Sequence, residues 1–148
     1  GGIPYFSPEL FRIPRLKDPL KTKQLKRALK ELGEEGTIQV FERLEGGEVM
    51  LGAVGILQFE TVAQRLESEF GVNATFEPVN IHKALWVAAD TDNMLKKFEQ
   101  ANHRRLAKDA SGSLTFLAPT RQILELAREK WPEVTFHTTR EYRGLESA

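Results

Sequence analysis

The sequence predicts an α+β fold in which a β-α-β-β-α-β order of elements occurs twice within 148 residues. Two observations support this prediction. Segments in which apolar and polar residues alternate, as in half-buried strands, lie next to segments in which apolar residues recur every three or four positions, as in helices. Glycine and proline then divide both halves of the chain into elements of the same order. This order is ferredoxin-like, so we expect two ferredoxin-like subdomains in tandem.

The first unit is expected to begin with a strand followed by a helix. The strand is predicted at Glu9–Leu16, and Asp18 and Pro19 have the residue types of an N-cap and a first helical position. Gly33 or Gly36 can end the helix by adopting a positive φ. The spacing predicts an apolar stripe on this helix, made of Leu25, Ala28, Leu29 and Leu32.

A hairpin, a second helix and a last strand complete the first unit. The hairpin strands are predicted at Thr37–Glu42 and Val49–Val54, with the turn at Glu45–Glu48. Gly71 is the expected C-terminal cap of the second helix, and Val72–Glu77 is the expected last strand. The buried stripe of that helix is predicted to contain Phe59, Val62, Leu66 and Phe70.

The second unit repeats this order. Asp90 or Thr91 is expected to cap its first helix, and Thr120 is expected to cap its second helix. The apolar stripe of the first of these helices is predicted to contain Leu95, Phe98 and Ala101. The four strands are predicted at Ala84–Ala89, Leu106–Lys108, Leu114–Ala118 and Val134–Thr138.

The predicted organisation is a linker over residues 1–8, a first subdomain over 9–79, a second over 80–140 and a flexible tail over 141–148. The abrupt beginning favours a fragment of a longer protein. Hydrophobic residues make up 41% of the chain, yet no window approaches the roughly 18 apolar residues of a membrane span, so we expect no membrane partner. The chain has no cysteine and no signal-peptide pattern, which favours a cytoplasmic location.

The charged residues are distributed unevenly although the net charge is zero. Between residues 12 and 30 the only acid is Asp18, whereas residues 31–77 contain many more acids than bases. A basic segment of this kind is typical of a surface that binds a polyanion. The candidate contact residues are Arg12, Arg15, Lys17, Lys21, Lys23, Lys26, Arg27 and Lys30.

No sequence motif points to catalysis by this chain. The turn that contains Gly52 and Gly55 lacks the lysine and hydroxyl residue of a phosphate-binding loop, so we expect both glycines to have structural roles. The three histidines, His82, His103 and His137, lack a second ligand at metal spacing. We therefore expect no catalytic residue, cofactor or metal site in the chain.

Four segments of the chain resemble the bacterial peptide chain release factor 3 family in its C-terminal region. They are IPYFSPELFRIPRLKDPLKTKQLKRAL, EEGTIQVF, GAVGILQFETVAQRLESEFGV and PEVTFHTTRE. Their order and length make the resemblance specific. The first half also resembles, more loosely, the third domain of elongation factor G. In that domain a turn similar to Gly55-Ile56-Leu57 leads into the second helix.

The resemblance implies a translational GTPase that promotes dissociation of class-I release factors from the ribosome after peptide release. Its GTP and Mg²⁺ would be bound by an N-terminal GTPase domain outside this chain. The implied partners are rRNA and ribosomal proteins, that GTPase domain and, indirectly, class-I release factors. The basic segment is the expected ribosomal contact, and a second, weaker candidate patch contains Arg104, Arg105 and Lys108.

Two other interpretations stay open from the sequence. The chain has features expected of the C-terminal region of another elongation factor G-like GTPase. A ferredoxin-like small-molecule-binding or acylphosphatase-type domain is the alternative from a different class. The latter would require an arginine in a glycine-containing loop after the first strand, and no glycine lies near Arg15.

Overall fold

The computed structural model describes residues 4–141 of the chain. The α-helices are α1 (Thr22–Glu35), α2 (Leu57–Phe70), α3 (Asp92–Ala101) and α4 (Arg121–Lys130). Short 3₁₀ helices lie at Pro19–Lys21 and His103–Arg105. The strands are β1 (Pro4–Phe6), β2 (Leu10–Leu16), β3 (Gln39–Arg43), β4 (Val49–Ala53), β5 (Ala74–Pro78), β6 (Lys83–Ala89), β7 (Leu106–Lys108), β8 (Leu114–Ala118), β9 (Val134–His137) and β10 (Thr139–Glu141).

Eight strands form one antiparallel sheet in the order β5-β2-β4-β3-β7-β8-β6-β9. The first four strands in that order, with α1 and α2, form one β-α-β-β-α-β unit, and the last four, with α3 and α4, form the other. In each unit the first strand lies between the third and the fourth. The predicted α+β class with two ferredoxin-like units is therefore confirmed.

The two units join through their second strands. Glu42 and Arg43 of β3 pair with Lys108 and Ala107 of β7, respectively. Beyond this pairing, the backbone N–H of Leu44 donates to the carbonyl of Leu106 at 3.0 Å. The two units therefore share one continuous sheet, and the predicted subdomain boundary between residues 79 and 80 stays a prediction.

All four helices cover the same face of the sheet. Val40 of β3 packs in the core under α1 and α2, and Leu106 of β7 packs in the core under α3 and α4. Side chains alternate along a strand, so Glu42 lies on the face of Val40, and Lys108 lies on the face of Leu106. Because Glu42 pairs directly with Lys108, the two helical cores lie on one side of the sheet.

A third core covers part of the opposite, helix-free face. It contains Phe11, Phe41, Met50, Ala84, Ala107 and Leu117. The segment before β2 crosses this core: an added Cβ at Gly52 would lie 2.6 Å from Cγ of Pro8, and Oγ of Ser7 donates to the carbonyl of Ala84 at 2.8 Å. Gly52 is therefore needed for a close approach, in agreement with its predicted structural role.

The two ends of the described chain pair with each other as β1 and β10, which the sequence analysis did not predict. The stretch predicted as a linker, residues 1–8, thus contains a short strand. The predicted tail begins at Glu141, the last residue of β10, and the rest of it lies outside the described residues. Pairing between chain ends leaves no local pattern in the sequence.

The helix ends largely follow their predicted caps. The Asp18 side chain accepts a hydrogen bond from the N–H of Leu20, but it caps the 3₁₀ helix rather than α1. Gly36, with a φ of 85°, ends α1, whereas Gly33 lies within the helix against Val40. Of the stripe predicted for α3, Ala101 is exposed because it lies at the end of the helix.

Candidate nucleic-acid interface

The basic residues of β2 lie on opposite faces of the sheet. Arg12 faces the helices, with its guanidinium carbon 4.7 Å from the centroid of the Phe59 ring. Arg15, three positions on, lies on the helix-free face, where its Nε is 2.7 Å from a carboxylate oxygen of Glu77. These two arginines therefore cannot belong to one contact surface.

The pairing of Arg15 with Glu77 also reduces its availability as a contact. The hydrogen bond that Arg15 donates to Glu77, followed by the Coulomb attraction between the two charges, raises the pKa of the Arg15 guanidinium. Both side chains are more than half exposed, at 52% and 57%, so solvent screens the pair and its contribution to stability is small. A polyanion would have to compete with Glu77 for Arg15.

Helix α1 brings four of the predicted contact residues together. Its buried stripe is the predicted one, with the addition of Gly33. At 100° per residue, Lys23, Arg27 and Lys30 fall in one sector opposite that stripe, and Lys26 lies beside it. All four are exposed, and none has an ion pair with another residue of the described part of the chain. We define these four residues as the α1 basic face.

Two further lysines lie at the beginning of the α1 basic face. Exposed Lys17 follows β2, and half-buried Lys21 ends the 3₁₀ helix that leads into α1. Asp18 lies between them, but one of its carboxylate oxygens accepts the N–H of Leu20 at 3.0 Å. The positive charges are therefore concentrated around the N-terminal end of α1.

The charge order along α1 opposes its macrodipole. Helices are stabilised by acids in the first turn and bases in the last turn. Of the other helices, α2 and α3 have Glu60 and Asp92 in their first turns, and α4 has Arg128 and Lys130 in its last turn. Helix α1 has neither an acid in its first turn nor a base in its last. Its lysine-rich beginning thus reduces stability but concentrates positive potential where backbone N–H groups also attract anions.

An ion-pair network bounds the α1 basic face at the C-terminal end of the helix. Arg65 of α2 binds Glu35 through two contacts, of 2.6 and 3.0 Å, and also binds Glu69. The hydrogen bond from Arg65, with a second from Thr37, lowers the pKa of Glu35 to about 2. Sequence reasoning counted these charges but missed the network, because α1 and α2 come together only through the fold.

The second predicted patch does not form one surface. Arg104 is 86% exposed, with its Nε 3.7 Å from a carboxylate oxygen of Glu45. Lys108 is exposed on the helical side of the sheet, opposite Glu42 in register. Arg105 is half-buried and lines a cleft instead. Of these three residues, Arg104 and Arg105 lie together and Lys108 lies apart.

That cleft has a volume of about 500 Å³ and lies where the two units meet. Arg43 of β3, together with Arg104 and Arg105, lines it, and Leu117 and Ile81 extend into it from the core of the helix-free face. We call this site the arginine cleft. The sequence gives no signal for the participation of Arg43, because 61 positions separate it from Arg104 and only the pairing of β3 with β7 brings them together.

Two backbone donors of the turn between β4 and α2 are occupied. The Gln58 side-chain oxygen accepts the N–H of Val54 at 2.8 Å and the N–H of Gly55 at 3.1 Å. A phosphate cradle would need such N–H groups free to face its ligand. Val54, Ile56 and Leu57 nevertheless leave exposed apolar side chains on this turn, a feature that sequence reasoning missed.

The described residues contain no group of three or more His, Asp or Glu side chains placed to hold a metal ion. None of the helices in residues 4–141 has the length and apolar character needed to cross a membrane.

The fold defines the class of this chain as a domain of tandem ferredoxin-like units joined into one sheet. Residues 1–128 match the family described as "Class II release factor RF3, C-terminal domain", and the chain belongs to this family. It is also 55% identical over 141 residues to the curated "Peptide chain release factor 3" of Aromatoleum aromaticum (strain DSM 19018 / LMG 30748 / EbN1). The alignment covers 95% of this chain but 26% of that relative, so the chain spans about a quarter of the relative's length.

Proposed function

We propose that this chain is the ribosome-contacting region of a cytoplasmic translational GTPase that promotes dissociation of class-I release factors after peptide release. Membership of the release factor family supports the assignment to translation termination. The 55% identity favours release factor 3 over another elongation factor G-like GTPase and over an acylphosphatase-type domain. The main support for the ribosomal contact is the α1 basic face. It presents four exposed cations on a helix whose charge order opposes its own dipole.

The contact follows from simple electrostatics. Cations that neutralise RNA phosphates release condensed counterions, which gives strong binding that depends on salt but not on sequence. From Lys23 to Lys30 the helix rises about 10 Å at 1.5 Å per residue, so several phosphates can be contacted along one helix. The N-terminal end of the dipole adds to the attraction. We assign Lys17 and Lys21 to the same surface. Arg12 and Arg15 lie on opposite faces of the sheet, so each would have to make a contact of its own.

GTP and Mg²⁺ belong, in this proposal, to an N-terminal GTPase domain and not to this chain. The Gln58 side chain occupies the N–H groups of Val54 and Gly55 in the β4–α2 turn, which leaves these two donors unavailable to a nucleotide phosphate. The role of this chain is to anchor the factor on ribosomal RNA and ribosomal proteins. The nucleotide state of the GTPase domain would then act on the ribosome through this anchored region.

Charge reversal on α1 tests the proposal. Lys23, Arg27 and Lys30 are replaced together by glutamate in the full-length factor, and ribosome affinity is measured by co-sedimentation. The matched control reverses Lys96, Lys97 and Lys130, three exposed lysines of α3 and α4. We expect the α1 variant to bind at least about tenfold more weakly, and the control to change affinity by less than about twofold. Equal losses in the two variants would refute the proposed contact.

A further inference from the structure

The arginine cleft is a concentration of positive charge that pairs only weakly within the described residues. Arg43 and Arg104 have acidic neighbours, Glu48 and Glu45, but each N–O distance is 3.7 Å and the two acids are largely solvent-exposed. Exposed pairs at such distances are readily exchanged for another anion. Arg43 also donates from Nη1 to the carbonyl of Arg104 at 3.2 Å, which fixes the 3₁₀ helix against β3.

Arg105 has a buried side-chain nitrogen without a partner. Its Nη1 is shielded from solvent and has no hydrogen-bond acceptor among the described residues. Buried polar groups in proteins almost always have partners, because an unpaired one loses its hydration without compensation. Nη1 itself is not open to the cleft, but the half-buried Arg105 side chain lines it beside Arg43 and Arg104. The three cations together suit an anion that accepts several hydrogen bonds.

The shape and lining of the cleft indicate which kind of anion it suits. A volume of about 500 Å³ is within the range of ligand sites and exceeds what one phosphate group needs. Ile81, Leu117 and Pro119 give it an apolar wall beside the arginines. Guanidinium groups match the oxygens of phosphate in a forked geometry. An apolar wall next to such a group suits the sugar or base that a nucleotide phosphate carries.

The cleft also lies at the same end of the sheet as the beginning of the α1 basic face. Strands β2 and β3 both run antiparallel to β4, so they run parallel to each other. Arg12 and Val40 both pair with Leu51, which places the ends of β2 and β3 level. Two strand spacings, about 10 Å, therefore separate Lys17 from Arg43 along this edge. The cleft is lined from the helix-free face, whereas α1 lies on the other face. A polyanion that crosses this end of the sheet could therefore contact Lys17 and Arg43.

We propose that the arginine cleft binds a backbone phosphate of RNA, with Arg43, Arg104 and Arg105 supplying its positive charge. The proposal rests on the proposed function for its choice of RNA as the source of the phosphate. A cleft that accepts a phosphate and its sugar would fix the position of a strand that the α1 basic face attracts without sequence preference.

The test uses the 148-residue chain labelled with ¹⁵N and four probes: inorganic phosphate, uridine monophosphate, a single-stranded RNA of twelve uridines and a peptide of twelve glutamates. The side-chain Nε–H signal of Arg105 reports on the cleft. We expect the RNA to shift this signal at the lowest concentration. Uridine monophosphate should need a higher concentration than the RNA, and inorganic phosphate a higher one still. A shift caused by the glutamate peptide at a lower concentration than by the RNA would overturn the proposal in favour of an acidic protein segment. If uridine monophosphate shifts the signal at a lower concentration than the RNA does, the proposal is overturned in favour of a free nucleotide.

A pair of variants separates binding from folding. Arg105→Met keeps the apolar stem and removes the unpaired donor, and Lys97→Met removes one exposed charge from neighbouring α3. We expect Arg105→Met to weaken RNA binding about tenfold, equivalent to about 1.4 kcal/mol, and Lys97→Met less than about twofold. Arg105→Met should keep or raise the melting temperature. A lower melting temperature, or equal weakening in both variants, would overturn the proposal.

This outcome is independent of the test on α1. The chain with Lys23, Arg27 and Lys30 reversed should bind RNA more weakly overall, yet inorganic phosphate should still shift the Arg105 signal. If the α1 variant binds ribosomes normally while Arg105 still responds to phosphate, the contact proposed for α1 fails and the cleft stands. If Arg105 does not respond to phosphate or RNA in either chain, the cleft fails and the α1 contact is unaffected.

Discussion

Gly52 shows how one residue can be fixed by a neighbour that is distant in sequence. An added Cβ would lie 2.6 Å from Cγ of Pro8 and 3.0 Å from Cε2 of Phe41. Gly55, three positions later in the turn after β4, has nothing within 4 Å of an added Cβ. The two glycines look equivalent in the sequence, but only Gly52 is required by packing.

We predict that Gly52→Ala lowers the free energy of unfolding by about 1–3 kcal/mol, because the methyl group overpacks the contact with Pro8. Gly55→Ala is the control and should change it by less than about 0.5 kcal/mol, since its site is open. Chemical denaturation of both variants measures the difference. Equal effects would show that the segment before β2 does not pack on Gly52.

Glu35 gives a second prediction for a single residue. Its pKa falls from 4.5 to about 2 in the folded chain, chiefly because Arg65 donates hydrogen bonds to its carboxylate. Folding therefore favours the ionised form, so the stabilisation is complete above pH 4.5 and is lost as the pH falls toward 2. Urea denaturation should show wild type more stable than Glu35→Gln at pH 7 and the gap closing below pH 4.5. Glu31→Gln, an exposed control on the same helix, should show no such closing gap.

At the scale of elements, α1 is the helix in which stability and the proposed contact oppose each other. Its apolar stripe is buried as the spacing predicted, and Gly36 ends it with a φ of 85°. Lys23, however, lies in the first turn, where a cation is repelled by the positive end of the macrodipole. This arrangement is explained if the cations are retained for binding an anion.

Lys23→Glu should therefore raise the free energy of unfolding by about 0.3–1 kcal/mol, because it places an acid near the positive end of the dipole. Lys130→Glu, at the end of α4, is the mirror-image control and should lower it by a similar amount. Denaturation at low ionic strength gives both values. A loss of stability in Lys23→Glu would mean that the lysine supports the fold.

The sequence predicted the elements well because helix and strand periodicities are local. The first hairpin turn lies at Glu45–Glu48, as predicted, and its Gly46 and Gly47 have φ values of 80° and 68°. Strand β7 has three residues, and its hairpin with β8 also lies where it was predicted. The ends of the other strands shifted by no more than two residues, since hydrogen bonds at element ends depend on neighbouring chain segments.

At the scale of the whole molecule, most of the properties that the sequence did not reveal depend on long-range pairing. The joining of β3 with β7 turns two units into one sheet and assembles the arginine cleft from Arg43 and Arg104. The separation of Arg12 from Arg15 follows from strand alternation, yet a charge count along the chain groups them together. The candidate surface was therefore predictable on α1, where one helix fixes the geometry, and not elsewhere.

The salt dependence of ribosome binding tests the central claim most directly. The logarithm of the association constant of the full-length factor is measured against the logarithm of salt concentration, for wild type and for the chain with Lys23, Arg27 and Lys30 changed to glutamate. Each lost phosphate contact should make the slope shallower by about 0.7–0.9, so three lost contacts predict a change of about two to three. An unchanged slope, with unchanged affinity, would contradict the assignment of the α1 basic face to RNA.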